Sequence, residues 1–315
     1  MLEKAEEDSG KPAKKSSADS IREIGERVKK TARDGKRAEL LSNKQLTLWA
    51  EGLRGIPNEI VRSALFTVKN RKQPRADLKR AVVAVIGEGE ITYTGEELRQ
   101  DDETVWLQLI HLARENGLAT PFHFTPFSFC KAIEWPVTGQ SYDRLDKCMT
   151  RLQATSLKIA SKRLNEDLSL SMLPGYHAKR RKDGDGGLWT VRMHDELVFL
   201  FSEFQYTRVE WQRRLSLPEG MATWLHAYYA SHREPYPVRI ETLASGAGLM
   251  IEAPQDAELD ETARTAKHKE RLRDAKKLIN KALQALKDSG FLEDFEVSRQ
   301  GLVMVRRKGA ETPVC

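Results

Sequence analysis

The stretch from Thr138 to Lys162 constrains this chain most, because its apolar residues change period partway along. Leu145, Cys148, Met149 and Leu152 recur at i, i+3, i+4 and i+7, which puts them on one face of a helix. After Thr155 the pattern alternates: Leu157 and Ile159 point one way, Ser156, Lys158 and Ala160 the other, as in a half-buried strand. A Gly-containing turn opens the helix, and Arg144, Lys147 and Arg151 share a stripe away from its apolar face. A turn, a helix with a basic outer stripe and then a strand follow the order of a winged helix-turn-helix, with the reading helix in the middle. A surface helix with solvated charges has the same pattern.

The flanking segments extend the order. Residues 101–116 carry Trp106, Leu109, Ile110 and Ala113 as a helical stripe, with Gly117 as its stop. Phe122 to Phe124 suits a short strand, and Pro126 opens a helix with Phe129, Cys130 and Ile133 inward. Downstream, Leu168 to Tyr176 and Leu188 to Val198 are strand-like. They flank the basic run from Lys179 through Arg180 and Arg181 and the turn DGDGG at 183–187, a hairpin with a basic shoulder. Lys and Arg there suit backbone phosphates, and suit solvent equally well. The order then recurs: helix 218–232, strand 236–240, short helix 240–247, an acidic linker, long helix 264–287, and strands 291–297 and 301–306. The expected fold class is α+β. Two tandem winged-helix domains, 56–205 and 206–315, follow a flexible basic N-terminal segment, 1–55.

In the second long helix Leu272, Ala275, Ile279, Ala282, Leu283 and Leu286 form the core stripe. Arg273, Lys277, Asn280 and Gln284 fall on another face, where Arg can pair with guanine and Asn or Gln with adenine in the major groove. Lys269 and Lys276 flank that face within reach of phosphates.

Composition permits this partner without requiring it: 52 basic against 46 acidic residues give +6 over 315 residues, a length that suits about two domains. Cys130, Cys148 and Cys315 are scattered, with no Cys/His spacing for zinc, so free thiols in a reducing compartment and no metal site are expected. The opening residues lack the apolar core of a secretory signal, and no run of roughly 18 apolar residues occurs, so a cytoplasmic protein without a membrane span is expected. No phosphate loop, HExxH or GxSxG is present, and no cofactor or catalytic residue is expected. Tyr228 and Tyr229 could serve a nicking enzyme as nucleophiles, but no His-x-His metal cluster accompanies them, and helix packing explains them better.

The segments RSALFTVKNRKQPR (62–75), ITYTGEEL (91–98), RLQAT (151–155) and SHREPYP (231–237) resemble the TrfA family of plasmid replication initiators. That resemblance implies binding to iteron repeats in an origin, origin opening, an inactive dimer that acts as a monomer, and contacts with the host replicative helicase and initiator. Gln45, Leu46, Thr47, Leu48 and Trp49 are similar to the peptide by which partners dock on the bacterial sliding clamp. The same leucines and tryptophan could instead pack on the first domain. A winged-helix transcriptional repressor is the alternative function.

Overall fold

The computed structural model describes residues 46, 49–87, 89–115, 117–118, 120–161, 166–179, 187–201, 205–252 and 260–308, with part of a helical stretch between 22 and 42. The chain divides into two compact units, 1–43 and 44–315, and all that follows concerns the second.

This unit opens with β1 (Leu53–Pro57) and the short α1 (Asn58–Val61), then β2 (Phe66–Thr67), β3 (Asp77–Val83), β4 (Glu90–Glu96) and β5 (Leu98–Arg99). Next come α2 (Gln100–Ala113), β6 (Phe122–Phe124), α3 (Pro126–Ala132) and α4 (Gly139–Gln153). Strands β7 (Ser156–Ser161), β8 (Glu166–Leu170), β9 (Gly175–Lys179) and β10 (Leu188–Arg192) follow, then α5 (Leu197–Phe201), β11 (Tyr206–Glu210) and α6 (Trp211–Ser216). The last part holds α7 (Met221–Ala230), β12 (Val238–Arg239), α8 (Ile240–Gly246), α9 (Glu261–Asp288), β13 (Leu292–Val297) and β14 (Leu302–Arg307).

Two three-stranded antiparallel sheets share one topology. The first is ordered β6-β10-β9 and the second β12-β14-β13, so in both the last strand lies between the other two. Each sheet belongs to a run of helix, strand, helix, helix and hairpin: α2, β6, α3, α4, β9, β10, and again α7, β12, α8, α9, β13, β14. The hairpin β7–β8 interrupts the first run. It joins β3 and β4 in a four-stranded sheet ordered β3-β4-β7-β8. The strand expected over 168–176 is therefore two: Leu170 ends β8, and β9 starts at Gly175, just past Pro174, which cannot donate to a sheet ladder. Leu197 and Val198, expected to end a strand, instead open the helix Leu197–Phe201.

Helix α2 is buried nearly all round, not along one stripe; only Thr104 and Leu112 are partly exposed. Strand β1 pairs with β11, so the expected boundary at 55/56 falls inside a strand whose partner begins at 206. Across the same region Arg214 is inserted between α2 and α7. Its Nη2 donates to Glu103 at 3.1 Å, and both side chains are nearly out of water. Thr223 Oγ1 donates to Gln100 Oε1 at 2.7 Å beside them.

Trp49 fills a slot that Gly55 leaves open: a Cβ there would lie 2.8 Å from the indole. Its ring stacks on Phe201 at 5.9 Å, and its Nε1 donates to His111 Nδ1 at 3.2 Å. His111 Nε2 is 2.9 Å from Glu51, so the imidazole is neutral with Nδ1 accepting; burial pushes its pKa down to about 4. His226 is edge-on to Phe291 at 4.6 Å, and neither ring nitrogen has a hydrogen-bond partner among the described residues. Burial, with Arg214 and other nearby arginines, pushes its pKa down to about 3.

Trp49→Ala is expected to lower unfolding free energy by about 3–5 kcal/mol, measured by urea titration. Both histidines bind protons more readily unfolded than folded. The stability they give is present above about pH 6.5 and is lost as pH falls toward the folded values, at up to about 1.4 kcal/mol per unit for each. Urea midpoints followed from pH 7 down to about 4 should fall less steeply in His226→Leu than in the parent chain.

Candidate nucleic-acid interface

Thr138 caps α4 by accepting from the Ser141 amide, and Ser141, Leu145, Cys148, Met149 and Leu152 face inward, as the periodicity requires. The two arginines do not face outward as expected. Arg151 Nε donates to Asp102 Oδ1 at 2.9 Å, and only 12% of the Arg151 side chain is exposed. Arg144 lies 3.8 Å over the Trp135 ring, 3.5 Å from Asp101 and 3.1 Å from Glu219. Arg75 completes the cluster, donating to Asp102 at 2.6 Å and to Asp101 at 3.0 Å.

These carboxylates sit in the first turn of α2, where backbone amides and the helix dipole favour anions. Asp102 also accepts from the Arg99 amide at 2.9 Å. Burial works against the Asp101 anion, but Arg75 and Arg144 outweigh it and hold its carboxyl below the usual range. The fully enclosed Asp102 is pushed the other way, by burial and then by Asp101. Arg144 and Arg151 are thus held half-buried against the Asp101 and Asp102 carboxylates. That corrects the expectation that they line a groove with Lys147.

Lys147 is exposed. The stripe that faces solvent on α4 is Gln140, Asp143, Lys147 and Thr150, with Gln153 at its end. Residues 140, 143, 147 and 150 are spaced 3, 4 and 3 apart, a helical period carried by hydroxyl and amide groups as well as by charges. Tyr176 on β9 donates to Asp146 at 3.0 Å and ties the hairpin to the helix. At the hairpin, Lys179 is exposed; Arg180 and Arg181 lie outside the described residues. The outward row of its sheet is His177, Thr190 and His123, with His123 Nδ1 2.9 Å from Thr190 Oγ1.

On α9 the expected core stripe is inward: Ala275, Ile279, Ala282, Leu283 and Leu286 are buried and Leu272 packs against them. Lys269, Arg273, Lys277 and Gln284 are exposed, while Lys276 and Asn280 are half-buried at the flanks of the stripe. Lys281 completes the outward row in place of Asn280 and stands four residues after Lys277, a spacing the sequence already showed. Arg273 and Lys277 reach Asp274 only at 3.8 and 4.0 Å, and Gln284 donates to Asp288 at 2.7 Å. Such exposed pairs are worth under about 1 kcal/mol and yield readily to a phosphate or base.

Leu46 and Trp49, 2% and 6% exposed, belong to the core. This corrects the expectation of a free peptide at 45–49. Gln45, Thr47 and Leu48 lie outside the described residues. Tyr228 and Tyr229 are each 1% exposed, and burial pushes both phenols up, so neither can reach a phosphodiester in this conformation. The one grouping of metal-ligand types among the described residues, Asp101, Asp102 and Cys148, is already occupied by Arg75, Arg144 and Arg151. No helix among the described residues is long and apolar enough to cross a membrane.

A family model described as TrfA protein matches residues 10–304. The chain is 34% identical over 232 residues to the plasmid replication initiator protein TrfA of Escherichia coli, a match covering 69% of this chain and 60% of that protein. It therefore spans less than two thirds of that relative's length. Among solved structures, domains 2 and 3 of RctB share the fold at a TM-score of 0.52 and 12% identity, over 80% of this chain and 98% of that one. With the family model matched from residue 10 to residue 304, the chain belongs to the TrfA family.

Proposed function

We propose that this protein initiates plasmid replication by binding repeated sites in origin duplex DNA through two winged-helix modules, with α4 and α9 as their reading helices. The observation that carries this is the repeated topology: two sheets with the last strand central, each preceded by a helix whose outward stripe is polar. That order is the one in which a winged helix puts a helix in the major groove and a hairpin along the backbone. The relative's name supplies the process.

The two helices are equipped differently. On α9, Lys269, Lys277 and Lys281 suit phosphates, while Arg273 and Gln284 carry the paired donors and acceptors that distinguish bases. On α4, Gln140, Lys147, Thr150 and Gln153 are the groups available. Host helicase and initiator contacts and a monomer–dimer switch enter this proposal from the family alone. Docking of 45–49 on a sliding clamp would first require Trp49 to leave its place against Phe201 and His111.

Gel shifts with origin DNA test the assignment. Arg273→Ala and Gln284→Ala are each expected to lose about 1–3 kcal/mol of specific affinity while non-specific binding persists. Lys277→Ala should weaken both kinds of binding and make the salt dependence shallower. Arg151→Ala should act on stability, by roughly 3 kcal/mol, because it removes a partner of a buried carboxylate. Unchanged origin binding in all three α9 variants would remove α9 from the interface.

A further inference from the structure

Strand β3 is an edge of the four-stranded sheet, and its pairing with β4 slips between Leu78 and Ala81. The extra residue is accommodated by Arg80, whose φ of 50° lies in the left-handed region. A glycine takes that conformation freely, whereas a residue with a side chain gives up about 1 kcal/mol or more. The Arg80 amide donates to Thr94 Oγ1 at 3.0 Å, and glycine would make the same bond. The guanidinium itself has no partner among the described residues, and neither has the Lys79 ammonium; both side chains are exposed. Nothing among the described residues therefore accounts for a long cationic side chain at a position shaped for glycine.

The surroundings indicate what it would meet. The inner face of this sheet buries Ile91, Tyr93, Leu157, Ile159, Leu168 and Leu170. The outer face carries hydroxyls: Thr94 lies opposite Ser156, and Thr92, Lys158 and Ser169 stand in one row. Of the neighbouring carboxylates, Glu96 lies 3.7 Å from Arg75 and Asp167 is 2.6 Å from Lys158, which leaves Asp77 and Glu90 at strand starts. This face is continuous with the end of α4. Ala154, the C-cap of that helix, is exposed and stands two residues from the exposed Ser156. From the last turn of α4 the surface runs through Ser156 and Thr94 to Arg80.

We propose that Lys79 and Arg80, with Thr94 and Ser156, form a phosphate-binding site for the strand of duplex DNA that leaves the C-terminal end of α4. The site rests on the DNA-binding function proposed above and extends it to a sheet outside both winged-helix runs. A lysine and a bulge on an edge strand also deter unwanted strand pairing. Lys79 serves that purpose alone, and a glycine at 80 would keep the bulge.

The test is a salt titration of full-length protein on a mixed-sequence duplex of about four helical turns, since a phosphate contact needs no particular sequence. Arg80→Gly keeps the backbone and removes the cation. It is expected to weaken binding about three-fold or more and to make the slope of log K against log salt shallower by about one, with thermal stability unchanged or raised. Arg80→Lys should keep the parent slope. Parent-like affinity and slope in Arg80→Gly, while Lys277→Ala still weakens binding, would overturn this site and leave the function standing. A parent chain that binds no duplex would overturn both.

Discussion

Three consecutive carboxylates at the start of α2 hold the structure together. Asp101 and Asp102 take Arg75 from the loop before β3 and Arg144 and Arg151 from α4; Glu103 takes Arg214 from α6. Buried charge is tolerated only when paired, and removing one partner from such a pair typically costs about 3–5 kcal/mol. The N-terminus of α2 adds its dipole and the Arg99 amide to the anions' side. Because these arginines come from three separate segments, one helical turn fixes where α4 lies and how the first half of the unit meets the second. The almost complete burial of α2 is the consequence: it is covered by everything its first turn has gathered.

The arginines and lysines of this chain consequently do two kinds of work. Those that meet the α2 carboxylates are structural, however basic the stripe they form on a helical wheel. Arg273 and Lys277 on α9 are exposed and paired only loosely, to Asp274 on the same helix. A cation's availability is set by the nearest carboxylate in space, which helical periodicity does not report.

The same distinction explains what could be read from the residues alone. The core stripes of α4 and α9 and the start of α3 at Pro126 follow from spacing and local chemistry, and they stand in the structure. The errors concern contacts between remote segments. Arg144 and Arg151 looked outward because their partners lie far back in the chain at Asp101 and Asp102. Trp49 looked free because its slot is made by Gly55 together with Phe201 and Tyr206, which reach it through the pairing of β1 with β11. Two further signals were present but outweighed. Pro174 marked the break between β8 and β9, and Lys281 stood in register with Lys277. Arg80 had no local signature, since a left-handed bulge in an edge strand ordinarily announces itself by glycine.

In the proposed function, the unit 44–315 presents α4 and α9 to a single duplex. Hydroxyl-radical footprinting of the protein on its origin tests it most directly. The expected pattern is two protected segments on the same face of the duplex, a whole number of turns apart, with backbone protection beside each. A single protected segment, or two on opposite faces, would contradict it.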